Sequence, residues 1–181
     1  GVSISIRGDP PSDGVLLISN HRSYTDIPVL MSINPCVFLA KHEVRTWPII
    51  GWAAATARTV FVDRSSAESR SRSRDVLRER LQEGLSVLVF AEGTTTPWGT
   101  LHTFKRGMFH EAVETSLPIQ LVALEYTDPR DAWADDVPLS EHFFSRFSRW
   151  RVHINLIFRE DLLYGDKKDG EKLCVDSEDW I

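Results

Sequence analysis

The chain has 181 residues, of which 42% are hydrophobic and 26% charged, which suits one domain with a sizeable core. Its formal net charge of -5 argues against general nucleic-acid binding, because such surfaces are usually basic. Two cysteines give no disulfide framework, so a reducing compartment is expected. The sequence contains no run of about 18 uninterrupted apolar residues, so no membrane span is predicted within it. A membrane segment upstream of Gly1 is left open.

Hydrophobic patterns predict strands and helices that alternate along the chain. The expected strands cover 3–6 at an edge, 14–19, 36–40, 59–62, 85–90, 117–124 and 150–158. The expected helices cover 26–33, 47–57, 65–83, 108–115 and 139–147, and the charged tail from Asp161 onward is expected to be loosely held. This order predicts a single α/β domain over residues 1–181, with a central, mostly parallel mixed sheet flanked by helices.

The first strand leads into a short polar stretch, residues 20–26, that contains a histidine and an aspartate. A neutral imidazole can accept a proton near pH 7, and a carboxylate on its other nitrogen would stabilise the imidazolium that forms. His21 and Asp26 would be rotated by about 140° on one continuous helix, so the pair requires the chain to turn between them. Taken alone, such a stretch is more often a loop histidine beside a helix-capping aspartate.

Two more polar stretches follow apolar strands. Asp63 and Arg64 follow the strand at 59–62, and residues 92–96 follow the strand at 85–90. Parallel strands would gather all three stretches along one edge of the sheet, and Lys105 and Arg106 could fold back onto that edge. A histidine base with a carboxylate, a glycine-containing loop and several cations suits an anionic substrate whose hydroxyl must be activated.

With these motifs in order, the sequence resembles the glycerophospholipid acyltransferase family, whose best-known members are lysophosphatidate (1-acylglycerol-3-phosphate) acyltransferases. The family's first motif, Asn-His-x-x-x-x-Asp, matches residues 20–26. The other matching positions are Lys41, Glu43, Pro48, Gly51, residues 61–64, residues 90–94, residues 104–107 and the strand that begins near Pro118. The resemblance covers the motif-bearing core, roughly residues 14–125, in order and spacing.

The resemblance implies transfer of a fatty acyl group from acyl-CoA or acyl carrier protein to the hydroxyl of a lysolipid, with lysophosphatidate as the first expected acceptor. His21 would be the general base and Asp26 would orient it. Residues that would hold the acceptor's polar head are Arg64, Glu92, Gly93 and Thr94, with Lys105 and Arg106 nearby. No metal or further cofactor is expected, and peripheral contact with the cytoplasmic face of a membrane is expected.

Departures from the family pattern leave the acceptor open. The family often has an arginine directly after Glu-Gly-Thr, where this chain has Thr95. Either Lys105 or Arg106 replaces that cation, or the acceptor is another lysolipid, such as a lyso-aminolipid. Glu92 is unusual beside an anion, so it is expected to orient Arg64 or a backbone loop, or to serve the fold alone.

Three further points stay open at this level. The apolar segment 47–57 must be buried or must face lipid, and membrane contact could fall to its tryptophans. A catalytically silent lipid-binding module would keep the same motifs. Metal-dependent hydrolysis is the weakest alternative, because the histidines lack a tight ligand spacing. Its candidate ligands would be His21, Asp26, His42, Glu43, His102 or His110.

Overall fold

The computed structural model describes residues 1–12, 14–47, 50–56, 59–63, 65–133, 137–147, 151–165 and 169–181. Its strands are β1 (Val2–Arg7), β2 (Leu16–Ser19), β3 (Cys36–Lys41), β4 (Val60–Val62), β5 (Ser86–Phe90), β6 (Ile119–Tyr126) and β7 (Val152–Phe158). Its helices are α1 (Asp26–Ile33), α2 (Ile50–Thr56), α3 (Ala67–Gln82), α4 (Gly107–Thr115), α5 (Leu139–Phe147) and α6 (Gly170–Trp180). Two 3-10 helices cover His42–Thr46 and Pro129–Asp131.

The seven strands form one sheet in the order β1-β7-β6-β2-β5-β3-β4. Neighbouring strands run parallel except β6 and β7, which are antiparallel. β2 lies between β5 and β6, so the stretch that follows it leaves the sheet near its centre. This confirms the predicted α/β class with a mostly parallel sheet, and β1 is the predicted edge strand.

The core lies on both faces of the sheet, because successive residues of a strand point to opposite sides. Leu17 packs in a cluster with residues of α1 and α2, such as Leu30 and Ala54. Leu16 packs in a second cluster with residues of α3 and α4, such as Leu77 and Phe109. β2 is therefore buried on both faces, which explains its continuous apolar sequence.

The C-terminal tail corrects the sequence prediction of a loosely held segment, since Gly170–Trp180 forms helix α6. Asp169 caps this helix by accepting a hydrogen bond from the Lys172 N–H at 2.9 Å. Cys174 is buried in the core, and Glu178 accepts a hydrogen bond from the Phe104 N–H at 2.8 Å. Only Leu173, Cys174 and Trp180 of α6 pack in the core cluster, so the high charge content of the helix concealed its amphipathic pattern.

Smaller differences concern the segment after β3. The 3-10 helix His42–Thr46 was not predicted. Helix α2 lies within the segment 47–57 that was expected to be helical. Residues 48, 49 and 57 of that segment, and Trp150 of the last expected strand, lie outside the described residues. None of the described helices is long and apolar enough to cross a membrane. Both cysteines are free and buried, which agrees with the expectation of no disulfide framework.

Candidate active site

The histidine and aspartate of the first motif are in direct contact. His21 Nδ1 lies 2.8 Å from Asp26 Oδ2, across the turn between β2 and α1. Asp26 is fully buried, whereas the His21 side chain is 16% exposed. Because an ionised carboxylate only accepts hydrogen bonds, Nδ1 donates the proton and Nε2 is left as the basic nitrogen. The chain therefore makes the turn that this pair requires.

The turn is held by the same carboxylate. Asp26 Oδ2 also accepts hydrogen bonds from the Arg22 N–H at 2.6 Å and the Ser23 N–H at 2.8 Å. In addition, the Asp26 N–H donates to the Ser23 carbonyl at 3.0 Å. Asp26 therefore shapes the loop that carries His21 as well as contacting the imidazole ring.

The imidazole ring of His21 is positioned by neighbours from β5 and the loop after it. The ring stacks on Phe90 with a centroid distance of 3.8 Å and an interplanar angle of 12°. The His21 carbonyl accepts hydrogen bonds from the Thr96 N–H at 2.9 Å and the Thr96 hydroxyl at 3.1 Å. Asn20 fixes the preceding position, because its side-chain amide pairs with both backbone groups of Leu124 on β6 at 2.8 Å.

The carboxylate of Glu92 binds backbone N–H groups, and the residue is buried, with 2% of its surface exposed. Its Oε1 accepts a hydrogen bond from the His21 N–H at 2.7 Å, and its Oε2 accepts one from the His102 N–H at 2.8 Å. Both carboxylate oxygens are thus used to join two loops. These contacts are compatible with both roles that the sequence suggested for Glu92, which were to orient a backbone loop or to serve the fold alone.

Tyr126 is a site residue that the sequence reasoning missed. Its hydroxyl donates a hydrogen bond to Asp26 Oδ1 at 2.6 Å. Tyr126 is the last residue of β6, which lies beside β2. The signal in the sequence was its place just after the strand predicted over 117–124. Burial, followed by the nearby Asp26 charge, raises the pKa of Tyr126, so the phenol stays a neutral donor.

Two cavities meet at the loop that follows β5. The first, called here the apolar cavity, has a volume of about 550 Å³ and is lined by His21. Its other walls are mainly apolar and include Ile27, Met31, Phe38, Val44, Trp47 and Trp133. The second, called the open cavity, has a volume of about 510 Å³ and is lined by residues that include His102 and Lys105. Gly93 and Thr94 line both cavities, so this loop joins an apolar space to a polar one.

The cations that were predicted to bind the acceptor's polar head differ in whether they line a cavity. Lys105 lines the open cavity and is exposed. Arg106 instead pairs with Glu171 of α6 at 2.8 Å, and both side chains are more than half exposed. It is not among the residues that line either cavity. Arg64 lies outside the described residues.

Thr95 occupies the position where an arginine was expected from the family pattern. Its side chain is 6% exposed and contributes to the wall of the apolar cavity. Among the described residues, no group of three or more His, Cys, Asp or Glu side chains could hold a metal ion.

The protein is thus an α/β protein with a histidine–carboxylate pair at the carboxyl edge of its mostly parallel sheet. Residues 4–125 match the family model described as Acyltransferase, and the chain belongs to this family. This confirms the glycerophospholipid acyltransferase resemblance drawn from the sequence.

Similar proteins carry two kinds of name. A lyso-ornithine lipid O-acyltransferase from Pseudomonas aeruginosa is 37% identical over 161 residues, which cover 85% of this chain and 62% of that protein. A 1-acyl-sn-glycerol-3-phosphate acyltransferase from Neisseria meningitidis is 34% identical over 128 residues, which cover 71% of this chain and 50% of that protein. The chain thus spans about half to three fifths of the length of these relatives.

A solved structure shares the fold. The crystal structure of the 1-acyl-sn-glycerophosphate acyltransferase PlsC from Thermotoga maritima matches with a TM-score of 0.69 and 24% sequence identity. The match covers 98% of this chain and 68% of that chain. The likeness therefore includes β7 and α6, which lie beyond the family-model match.

Proposed function

We propose that the protein is an O-acyltransferase that moves a fatty acyl group from acyl-CoA or acyl carrier protein to the hydroxyl of a lysolipid. The observation that carries this proposal is the His21–Asp26 pair. Asp26 occupies Nδ1 of His21 at 2.8 Å, while His21 lines the apolar cavity. Nε2 is then the nitrogen that can take a proton from a hydroxyl bound there.

The proposed reaction is a direct transfer with no acyl-enzyme. Nε2 of His21 removes the proton of the acceptor hydroxyl, and the oxygen attacks the carbonyl carbon of the thioester. The new C–O bond forms, the C–S bond breaks, and the departing thiolate takes the proton from the imidazolium. Asp26 stabilises that imidazolium while it exists. A positioned base contributes about 10²- to 10⁴-fold to the rate, which is roughly 3 to 5 kcal/mol.

The two cavities suit the two parts of a lipid substrate. The apolar cavity, with its aliphatic and aromatic walls, suits a fatty acyl chain. The open cavity offers Lys105 and the Gly93–Thr94 loop to the polar head. Because Gly93 and Thr94 line both cavities, a lipid that spans them would bring its hydroxyl near His21.

Two acceptor classes are candidates, lysophosphatidate and a lyso-aminolipid such as lyso-ornithine lipid. Two observations favour the second. The side chain at position 95 is a buried threonine rather than an arginine that could bind phosphate. The relative named for lyso-ornithine lipid is 37% identical over 85% of this chain, against 34% over 71% for the relative named for acylglycerol phosphate.

An acceptor panel tests this proposal. The protein is given acyl-CoA or acyl carrier protein together with lysophosphatidate or lyso-ornithine lipid, and thiol release and acylated lipid are both measured. We expect acceptor-dependent thiol release, with lyso-ornithine lipid turned over fastest. Preference for lysophosphatidate would reverse the choice of acceptor. Lysolipid binding with no thiol release from any donor would support the lipid-binding module instead.

Peripheral contact with the cytoplasmic face of a membrane is also part of the proposal. Trp52 of α2 is 75% exposed and Phe144 of α5 is 73% exposed. A series of aromatic ring contacts leads from Phe144 through Phe143 and Tyr24 to Trp133, with ring-centroid distances of 5.9 to 6.1 Å between successive rings. Tyr24 and Trp133 line the apolar cavity. Exposed rings beside a lipid-binding cavity are suited to the interfacial region of a bilayer.

A further inference from the structure

We infer that Tyr126, supported by Thr25 and Arg146, is a positioning residue that fixes the Asp26 carboxylate so that Oδ2 stays directed at His21. The inference rests on the proposed function, in which His21 is the base. It assigns a role in proton transfer to residues that do not themselves touch the reacting atoms.

The two oxygens of Asp26 have separate partners. Oδ2 accepts three hydrogen bonds, from His21 Nδ1, the Arg22 N–H and the Ser23 N–H. Oδ1 accepts the hydrogen bond from the Tyr126 hydroxyl at 2.6 Å. Asp26 has no exposed surface, so water cannot replace a lost donor without a rearrangement. Tyr126 therefore determines whether the second oxygen is satisfied in the orientation that serves His21.

The Tyr126 hydroxyl is itself held in the donating orientation. Thr25 Oγ1 lies 2.6 Å from the Tyr126 oxygen. Because the single hydroxyl proton of Tyr126 is given to Asp26, Thr25 must be the donor in this contact. The result is an ordered chain of hydrogen bonds from Thr25 to Tyr126 and then to Asp26, and each bond in such a chain polarises the next.

A buried cation lies over the Tyr126 ring. The guanidinium carbon of Arg146 is 5.0 Å from the ring centroid. Arg146 is buried and is fixed by Asp131, whose carbonyl it meets at 3.0 Å and whose carboxylate it meets at 3.1 Å. A cation over the face of a phenol draws electron density from the ring and strengthens its hydroxyl as a donor.

Two of the three supporting residues lie beyond the family-model match, which ends at residue 125. Tyr126 is the next residue, and Arg146 lies on α5. The matched region therefore supplies the histidine, the aspartate and Thr25, while the following segment supplies Tyr126 and Arg146. The role of Tyr126 can thus be tested without altering the motif itself.

The decisive variant is Tyr126→Phe, which removes the hydroxyl and keeps the ring under Arg146. We expect kcat to fall about 10- to 100-fold, the range for loss of a hydrogen bond to a buried charged group, while KM for both substrates stays within about twofold. Tyr164→Phe is the matched control, because Tyr164 is 65% exposed, and it should leave kcat unchanged. Thermal unfolding of each variant checks that the fold is kept.

The energetic coupling between substitutions at Tyr126 and Asp26 separates a positioning role of Tyr126 from a merely structural one. In an Asp26→Asn background, Tyr126→Phe should lower kcat by less than about twofold further, because its partner carboxylate is already gone. Thr25→Val should lower kcat in the same direction as Tyr126→Phe, whereas Thr25→Ser should restore it. An equal loss of kcat in both backgrounds, or no loss in a folded Tyr126→Phe protein, would overturn the inference.

A spectroscopic readout works without turnover. The ¹⁵N chemical shifts of the His21 ring report which nitrogen carries the proton. We expect the Nδ1-protonated form in the wild-type protein and a mixture of tautomers in Tyr126→Phe. Identical ring shifts in the two proteins would contradict the positioning role. If the wild-type protein transfers no acyl group, the proposed function fails, and this comparison still decides whether Tyr126 positions the pair.

Discussion

The His21–Asp26 pair and the cations predicted to hold the acceptor are fixed to very different degrees. Asp26 is fully buried and accepts four hydrogen bonds. Lys105 is exposed, and Arg106 is 56% exposed and paired with Glu171. Proton transfer depends on positions held within a fraction of an ångström, whereas long cationic side chains can adapt to a charged head. The difference suggests that acceptor choice can change while the proposed catalytic pair stays the same.

A substitution of Glu92 should give the largest effect that distinguishes the surroundings of the His21–Asp26 pair from the acceptor-binding cations. Its carboxylate joins the His21 and His102 loops, and a Glu92→Gln amide would present a donor to one of the two N–H groups. We expect the free energy of unfolding to fall by about 1 to 3 kcal/mol and kcat to fall at least tenfold, with a smaller change in the acceptor KM. Urea unfolding and initial rates measure these effects.

The control for this variant is Glu114→Gln on α4, because Glu114 is exposed and should tolerate the same change. A stable Glu92→Gln protein with normal kcat and a raised acceptor KM would assign Glu92 to the head group instead.

The two cations are expected to differ from one another. Lys105→Ala should raise the acceptor KM about five- to tenfold with little change in kcat, because Lys105 lines the open cavity. Arg106→Ala should change the acceptor KM by less than about twofold, because Arg106 pairs with Glu171 outside the lining of both cavities. Steady-state kinetics with each acceptor compare the pair. A larger effect at Arg106 than at Lys105 would show that the ion pair opens to bind substrate.

A substitution in the proposed membrane contact should give a smaller effect. Trp52→Glu should weaken binding to anionic lipid vesicles several-fold, because a charge replaces an exposed indole at the interface. Val175→Glu is the matched control, since Val175 is 50% exposed on α6, and α6 packs on the other face of the sheet from α2. Vesicle sedimentation measures both. Equal binding by Trp52→Glu and the wild-type protein would remove Trp52 from the proposed membrane contact.

The contacts that could be predicted best from the sequence are those between residues close together in the chain. His21 and Asp26 lie five residues apart between an apolar strand and a helix start, so their meeting follows from one turn. Tyr126 is 100 residues from Asp26, and its contact depends on β6 lying beside β2, which the order of elements along the chain did not specify. The pairing of Arg106 depends on α6, whose few apolar residues were concealed by the charged tail.

The most direct test of the central claim is thiol release from acyl-CoA in the presence of a lysolipid, compared between the wild-type protein and His21→Ala. His110→Ala on α4 is the matched control, because His110 is exposed and lines neither cavity. We predict that His21→Ala keeps its fold and loses about 10²- to 10⁴-fold in rate, while His110→Ala keeps the wild-type rate. Near-wild-type transfer by folded His21→Ala would contradict the account.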